Sequence, residues 1–182
     1  MRRTLVSSIF AAGLSLAAAG AQAALAVGAP APDFSADAAV GGQPFKFSLA
    51  GTLKKGPVVL YFYPKAFTSG CTMEAHLFAE ATDKFAAQGA TVIGISNDDI
   101  DTLKKFSVEA CRNKFAVAAD SGAKVMKDYD ATLIKYPGVA DRISYLIGPD
   151  GKIAAVHASM KAEGHVEAML KAAEALKTQA KR

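Results

Sequence analysis

Cys71 lies at the point where a buried strand is followed by a long helix. An apolar run over residues 57–63 predicts the strand, and the pattern over about residues 71–88 predicts the helix. The first backbone N–H groups of a helix are unpaired and carry a partial positive charge. These groups stabilise a thiolate over a thiol, so a cysteine in the first helical turn is a strong nucleophile. The sequence therefore predicts an ionised, reactive thiol at Cys71.

Only one other cysteine, Cys111, is available to this chemistry, and it lies 40 residues further along the chain. The sequence contains no Cys-x-x-Cys pair and no cluster of His and Cys at ligand spacing, so neither a metal nor any other cofactor is predicted. The histidines His76, His157 and His165 are assigned to surface or structural positions. An even number of cysteines in an exported chain is also typical of a structural disulfide, and this interpretation stays open here.

The N-terminal segment, residues 1–23, has the features of a cleaved signal peptide. Two arginines follow the initiating methionine, an apolar stretch of small residues comes next, and Ala21-Gln22-Ala23 matches an Ala-x-Ala cleavage site. A membrane anchor is the alternative, but the apolar stretch is short and rich in Ala, Ser and Gly. We expect export to a periplasm or an equivalent oxidising compartment, with residues 24–182 as the mature chain.

The charge balance argues against a nucleic-acid partner. Cleavage would remove two of the 21 basic residues and none of the 17 acidic ones, which lowers the formal net charge from +4 to +2. The sequence also lacks a basic run interleaved with aromatic residues, the pattern that favours nucleic-acid binding. We therefore expect no nucleic-acid partner. Signal cleavage would also leave no membrane partner, and a monomer is the default expectation.

The mature chain predicts a single domain of alternating strands and helices. Residues 24–42 are expected to form an irregular lead-in, and residues 51–56 a basic connection. The predicted strands are residues 45–49, 57–63, 90–96, 115–119, 142–147 and 152–157, and the predicted helices are residues 71–88, about 100–113, 121–129 and from 164 onward. This order indicates an α/β domain compatible with a thioredoxin-like fold, with a central mixed sheet flanked by helices on both faces.

The residues around Cys71 resemble the active-site signature of the peroxiredoxins. The signature is Pro64-x-x-x-Thr68-x-x-Cys71, and the wider string up to Glu74 is most similar to the subfamily called PrxQ or bacterioferritin comigratory protein. Other matching pieces fall in the family's order: Val27-Gly28-x-Pro30-Ala31-Pro32-Asp33-Phe34, Gly94-Ile95-Ser96, Arg142-x-Ser144-Tyr145-Leu146-Ile147, Asp150-Gly151-Lys152-Ile153 and Gly164-His165. One piece alone would be a weak signal, but together they cover almost all of the mature chain.

The resemblance implies a thiol-dependent peroxidase that reduces hydrogen peroxide and organic hydroperoxides in antioxidant defence. A thiolate attacks one peroxide oxygen and expels the other, so fixed donors along the breaking O–O bond stabilise the transition state. By resemblance, Arg142 holds the thiolate and orients the peroxide, while the Thr68 hydroxyl bonds a peroxide oxygen. Pro64 shields the thiolate from water, and Glu74 positions Thr68 or Arg142. Taken singly, each of these four also fits a plain role in a turn, at a strand end or on the surface.

The chain departs from the subfamily pattern at His76, where many members carry a second cysteine five residues after the first. Cys111 is then the only candidate to resolve a Cys71 sulfenic acid, forming an intramolecular disulfide that a thioredoxin-type protein reduces. Helical periodicity places Cys111 at the edge of the apolar stripe of its helix, as a half-buried thiol. The alternative is a small core residue without a redox role.

Two other functions are consistent with the sequence. The first is an exported thioredoxin-like disulfide oxidoreductase, which needs two close cysteines, whereas Thr72, Met73 and Glu74 follow Cys71. The second is a non-catalytic binding module of the thioredoxin fold, with a structural disulfide between Cys71 and Cys111. Consumption of peroxide by the mature protein would separate the peroxidase from both.

Overall fold

A seven-stranded mixed sheet forms the centre of the protein. The structure, a computed structural model, describes residues 24–180, so the predicted signal peptide over residues 1–23 lies outside the described residues. Within residues 24–180, no helix has both the length and the apolar character that crossing a membrane requires. The elements in chain order are β1 Ser35–Val40, β2 Gln43–Ser48, α1 Leu49–Leu53, β3 Val58–Phe62, α2 Ser69–Ala87, β4 Thr91–Ser96, α3 Ile100–Glu109, β5 Ala116–Ala119, α4 Lys124–Asp128, β6 Ile143–Ile147, β7 Ile153–Ala158 and α5 His165–Gln179.

The strand order β2-β1-β5-β4-β3-β6-β7 places β3 inside the sheet. This strand pairs in parallel with β4 and antiparallel with β6. Because the β3–β6 pair is antiparallel, Phe62 at the end of β3 lies opposite Ile143 at the start of β6. The start of α2, which follows β3, and the residue that precedes β6 therefore meet at one end of the sheet.

β3 is buried on both faces, as its continuous apolar run predicts. Val59 and Tyr61 pack into a core with α2, α3 and α5, whereas Val58, Leu60 and Phe62 pack into a second core with α1 and α4. Burial of each such side chain stabilises the fold by about 1.5–3 kcal/mol. The predicted α/β fold of the thioredoxin type, with helices on both faces of a mixed sheet, is confirmed.

An aromatic stack holds α2 on the sheet. The ring of Tyr61 on β3 stacks on Phe78 of α2, with the ring centroids 4.3 Å apart. Gly94 on β4 makes room for this ring, because a Cβ atom at that position would lie 2.7 Å from Cζ of Tyr61. The stack fixes the first half of α2 relative to β3, and so it sets the position of Cys71.

The lead-in predicted to be irregular over residues 24–42 contains a strand. β1 pairs antiparallel with β2 and with β5. Its buried residues are alanines, Ala36, Ala38 and Ala39, which have low strand propensity and so gave no strand signal. Gly41 and Gly42 both have positive φ angles, 55° and 78°, and form the two-residue turn of the β1–β2 hairpin.

The connection predicted over residues 51–56 contains the short helix α1. Ser48 is its N-cap, and the Ser48 hydroxyl accepts a hydrogen bond from Gly51 N–H at 3.1 Å. The helix predicted over residues 121–129 is shorter than expected. It begins only after Ala123, which has a φ of 53°, and the buried Asp120 carboxylate accepts hydrogen bonds from the first N–H groups of α4.

The third helix ends earlier than predicted, at Glu109 instead of about residue 113. Arg112 and Asn113 have left-handed backbone angles, with φ values of 51° and 60°, which a right-handed helix does not accept. Cys111 N–H bonds to Phe106 O at 3.0 Å, so the chain turns inward immediately after the helix. Cys111 therefore lies in a buried turn beyond α3, and the prediction of a half-buried helical residue is wrong.

Candidate active site

Cys71 lies in the first turn of α2, just beyond the end of β3. The N-cap residue is Thr68, and the first helical hydrogen bond runs from Thr72 N–H to Thr68 O at 2.8 Å. The N–H groups of residues 69–71 precede that bond, so they carry the positive end of the helix dipole. The Cys71 side chain is only 2% exposed and is a free thiol. This is the position that the sequence predicts for an activated thiolate.

Arg142, the residue immediately before β6, reaches Cys71 from the strand that neighbours β3. Its Nη2 donates to the Cys71 sulfur at 3.4 Å, although the two residues are 71 positions apart in the chain. Its Nη1 forms an ion pair with Glu74 one turn further along α2, and its Nε donates to the Met160 carbonyl at 3.1 Å. Gly70 permits this approach, because a Cβ atom there would lie 3.3 Å from Nη2. The guanidinium therefore lies beside the sulfur, where the resemblance predicts it.

Burial controls the charges in this cluster. It raises the pKa of Glu74 to about 8, and the positive charge of Arg142 opposes this rise only in part. Burial also acts to lower the pKa of Arg142, but the charges of Glu74 and Cys71 outweigh it and raise that pKa above its usual value. The guanidinium therefore stays charged beside the Cys71 sulfur.

The other two predicted residues lie on the loop between β3 and α2. The Thr68 side chain is exposed, and its hydroxyl donates to the Lys65 carbonyl at 3.0 Å. Its oxygen still offers lone pairs to a peroxide O–H, whereas donation to the peroxide requires the bond to Lys65 to open. Pro64 is half-buried and lines a small cavity of about 120 Å³ with Asn97 and Gly138. The structure thus brings Arg142 and Glu74 against Cys71, with Thr68 and Pro64 on the loop that leads to it.

Asp98 holds this loop in place, a role that sequence reasoning missed. Its Oδ2 accepts hydrogen bonds from Ala66 N–H at 2.8 Å and from the Ser96 hydroxyl at 2.9 Å. The N-cap of α3 is the next residue, Asp99, which accepts from Thr102 N–H at 2.8 Å. When two acidic residues precede a helix, the sequence alone does not show which of their side chains caps it.

His165 was assigned to a surface or structural position, and it is fully buried beside the cluster. Its Nδ1 lies 3.7 Å from Oε1 of Glu74 and 2.8 Å from the Ser144 hydroxyl, and its Nε2 lies 2.9 Å from the Ser159 carbonyl. The available signal was the Gly164-His165 pair that begins α5. Nothing in the sequence indicates that this start faces Glu74.

Comparison with known proteins identifies the family. Residues 27–156, which include Cys71, Cys111 and Arg142, match the model of the AhpC/TSA family. The chain belongs to the AhpC/TSA family. The peroxiredoxin relationship and the PrxQ or bacterioferritin comigratory protein subfamily, predicted from the motifs, are confirmed by individual relatives of these types.

Two curated relatives and one solved structure illustrate this peroxiredoxin's relationships. It is 34% identical to "Peroxiredoxin Q, chloroplastic" of Suaeda salsa across 124 aligned residues. These residues make up 68% of this chain and 58% of the relative. It is also 34% identical to "Putative peroxiredoxin bcp" of Coxiella burnetii, over 63% of this chain and 78% of the relative. The crystal structure of Peroxidoxin BcpB from Mycobacterium tuberculosis is 30% identical, with a TM-score of 0.72, over 82% of this chain and 97% of that one.

Cys111 shares a core with the active site of this peroxiredoxin. Burial raises the pKa of its thiol well above the usual value, so the thiol is protonated in the folded state. Burial likewise raises the pKa of Tyr61 and Tyr63, and the adjacent Cys111 and Cys71 add to that effect. Both tyrosines and both cysteines belong to this one core, and the two sulfurs are not bonded to each other.

Within residues 24–180, the larger grooves lie away from Cys71. A groove of about 520 Å³ between α2 and α5 is lined by residues such as Leu77, Val166 and Leu170, and Cys71 does not line it. Within residues 24–180, no three His, Cys, Asp or Glu side chains are grouped as metal ligands. The chemistry of this part of the chain is concentrated at Cys71.

Proposed function

We propose that the protein is a thiol-dependent peroxidase that reduces hydrogen peroxide and organic hydroperoxides to water and alcohols, in antioxidant defence. The observation that carries this proposal is the 3.4 Å contact from Arg142 Nη2 to the Cys71 sulfur at the start of α2. Membership of the peroxiredoxin family supports it. A permanent cation and a helix N-terminus at one buried sulfur are what a reactive thiolate needs.

The proposed reaction begins with attack of the Cys71 thiolate on one peroxide oxygen. The S–O bond forms as the O–O bond breaks, and the electron pair leaves with the second oxygen, which takes up a proton to give water or an alcohol. Cys71 becomes a sulfenic acid. Negative charge spreads from sulfur along the O–O bond during this step. The Arg142 guanidinium and the first N–H groups of α2 are already in place to stabilise that charge.

The remaining predicted residues support this step. The Thr68 oxygen accepts a hydrogen bond from the peroxide O–H, and Pro64, which has no N–H group, limits water at the approach to the sulfur. Glu74 binds Nη1 of Arg142, which leaves Nη2 directed at Cys71. Glu74 therefore orients the guanidinium, one of the two roles that the resemblance implied for it.

A peroxide-consumption assay with a thioredoxin-type donor tests this function on the mature chain, residues 24–182. A disulfide oxidoreductase would reduce a protein disulfide without consuming peroxide, and a binding module would do neither. The structural disulfide that the binding module requires is not formed, since Cys71 and Cys111 are free thiols. Failure to consume peroxide with any dithiol donor would reject the peroxidase.

We propose that Cys111 resolves the sulfenic acid, and that its turn must open for this. The Cys111 thiol attacks the Cys71 sulfur, an S–S bond forms, and the sulfenic oxygen leaves as water. Cys111 is fully buried in the packed core that also contains Cys71, so we expect the residues around it to move before the two sulfurs bond. The left-handed angle of Arg112 costs about 1–2 kcal/mol, which lowers the free energy of opening. The exposed pair of Arg112 with Glu80 resists opening by about 1 kcal/mol or less.

Cys111→Ser is expected to react once with peroxide and then stop. Without the second thiol, the sulfenic acid of Cys71 persists, and only excess peroxide oxidises it further to sulfinic acid. Turnover with a thioredoxin-type donor should fall to the background rate, while the first oxidation keeps its wild-type rate constant. Mass spectrometry of the Cys71 peptide follows both effects. Normal turnover in this variant would mean that Cys111 is only a core residue. A disulfide-linked dimer in the oxidised wild-type protein would mean that resolution occurs between two chains.

We propose a thioredoxin-type protein as the reductant, a monomer as the working state, and export as the destination. The support for export comes from the composition of residues 1–23, with their paired arginines and Ala-x-Ala site. An exported peroxidase needs a donor in the same compartment, because a cytosolic one cannot reach it.

N-terminal sequencing of the exported protein should give Ala24 as the first residue. An exported product that still begins at Met1 would favour a membrane anchor.

A further inference from the structure

His165 is a buried polar residue for which the proposed reaction has no use so far. It begins α5, about twenty positions beyond Arg142, and its side chain has no exposed surface. Buried polar groups are expensive unless they are hydrogen-bonded, and this ring is bonded at both nitrogens. Its partners are the Ser144 hydroxyl at 2.8 Å and the Ser159 carbonyl at 2.9 Å.

These partners determine the state of the ring. A carbonyl oxygen only accepts, so Nε2 of His165 carries a proton and donates it to Ser159. Nδ1 then accepts from the Ser144 hydroxyl. Burial lowers the pKa of His165 to about 4, an effect to which the neighbouring His157 and Arg142 add, so the ring is neutral at physiological pH. Its orientation is therefore defined from both sides.

The Ser159 carbonyl belongs to a turn that also holds Arg142. Ser159 N–H donates to the Arg142 carbonyl at 3.2 Å, and Arg142 Nε donates to the Met160 carbonyl at 3.1 Å. The Met160 side chain is exposed, so packing of that side chain does little to fix the turn. The hydrogen bond from His165 is the link that joins this turn to a helix.

The same ring also contacts the other partner of the guanidinium. Oε1 of Glu74 is buried and has no hydrogen-bond partner among the described residues, and it lies 3.7 Å from Nδ1 of His165. The other charged group bonded to this carboxyl is Arg142, through Nη1. The ring thus limits where the carboxyl can move, and through it where Nη1 of Arg142 can move.

We propose that His165 is a positioning residue for Arg142, acting mainly through its Nε2 hydrogen bond to the Ser159–Met160 turn and secondarily through its contact with Glu74. This inference rests on the proposed peroxidase function. The guanidinium is fixed at Nε by the turn and at Nη1 by Glu74, which leaves Nη2 for the sulfur and the peroxide. Misplacement of such a donor by even about 1 Å can cost up to a hundredfold in rate.

The test is the second-order rate constant for oxidation of Cys71 by hydrogen peroxide, followed by quenching with a thiol-blocking reagent and mass spectrometry. His165→Leu, which keeps bulk and removes both hydrogen bonds, should lower the rate constant by about tenfold. His165→Gln can place an amide N–H near the position of Nε2, so it should keep the rate within about threefold of wild type. His165→Asn cannot reach the Ser159 carbonyl and should behave like His165→Leu. If His165→Leu does not fold, the difference between the Gln and Asn variants decides.

A double-mutant cycle separates positioning from a general loss of structure. If His165 acts through Arg142, then His165→Leu should cause no further loss of rate in an Arg142→Ala background. Met169→Ala is the matched control, because Met169 is a buried α5 residue whose packing is apolar. It should lower the melting temperature and leave the rate constant unchanged.

Each result bears on one claim. The positioning role would be overturned by a wild-type rate constant in His165→Leu, or by equal losses of rate in the Gln and Asn variants. It would also be overturned if His165→Leu lowered the rate constant of Arg142→Ala by the same factor as it lowers that of wild type. An equal loss of rate in Met169→Ala would overturn it as well. In all of these cases the wild-type protein still reacts with peroxide. If wild type itself does not react, the proposed function fails, and the positioning role fails with it.

Discussion

Cys71→Ser is expected to lose all peroxide reduction and keep its fold. A serine hydroxyl is not ionised at neutral pH and is a far weaker nucleophile than a thiolate, so the first step has no substitute. Cys71 is almost fully buried, but the serine oxygen can accept a hydrogen bond from Nη2 of Arg142 in place of the sulfur. The free energy of unfolding should therefore change by no more than about 1–2 kcal/mol.

Peroxide consumption and thermal unfolding of the same samples check this prediction. Cys111→Ser is the matched control, since it also removes one buried thiol from the same core. It should still consume one equivalent of peroxide per chain, whereas Cys71→Ser should consume none. Turnover that survives in Cys71→Ser would defeat the enzymatic interpretation, provided that the variant melts as a folded protein.

Arg142→Ala should slow oxidation of Cys71 by about a hundredfold, because it removes a preorganised cation from the line of charge transfer. Arg142→Lys should recover only part of this loss, since lysine keeps the charge but cannot bind Glu74, Met160 and the sulfur at once. Removal of the guanidinium also leaves the buried Glu74 carboxyl without its partner. Loss of one member of a buried ion pair destabilises proteins by about 3–5 kcal/mol.

A second substitution separates lost stability from lost catalysis. In the double variant Glu74→Gln/Arg142→Ala the unpaired carboxyl is gone, so the melting temperature should recover while the rate constant stays low. Lys104→Ala serves as a charge control, because Lys104 pairs with Asp101 on the surface of α3 at 3.2 Å. It should leave the rate constant unchanged. Wild-type oxidation rates in Arg142→Ala would show that the guanidinium does not act on the peroxide.

The sequence was most informative where one local pattern determines both structure and chemistry. The apolar run of β3, the turn at Thr68 and the start of α2 are contiguous, so the location of Cys71 could be predicted directly. Arg142 could be predicted only through the family resemblance. Its contact with Cys71 depends on the antiparallel pairing of β3 with β6, which residue spacing does not reveal.

What could not be predicted depends on tertiary packing. β1 is built from small residues that suit a crowded position between two strands but have weak strand propensity. The end of α3 is determined by left-handed angles at Arg112 and Asn113, residues that also occur within helices. His165 reads in sequence as an ordinary residue at a helix start. Its burial follows from the way α5 packs across β6 and β7, where Ser144 and Ser159 meet the ring.

The most direct test of the central claim is the mass of the Cys71 peptide after one equivalent of hydrogen peroxide, in a Cys111→Ser protein with a sulfenic-acid trap present. We predict that Cys71 is oxidised to a sulfenic acid, and that the trap captures it by forming an S–C bond while the sulfenic oxygen leaves as water. Wild type treated in the same way should yield an intramolecular disulfide between Cys71 and Cys111. A Cys71 peptide that stays an unmodified thiol, in a protein that is folded and exposed to peroxide, would contradict the account.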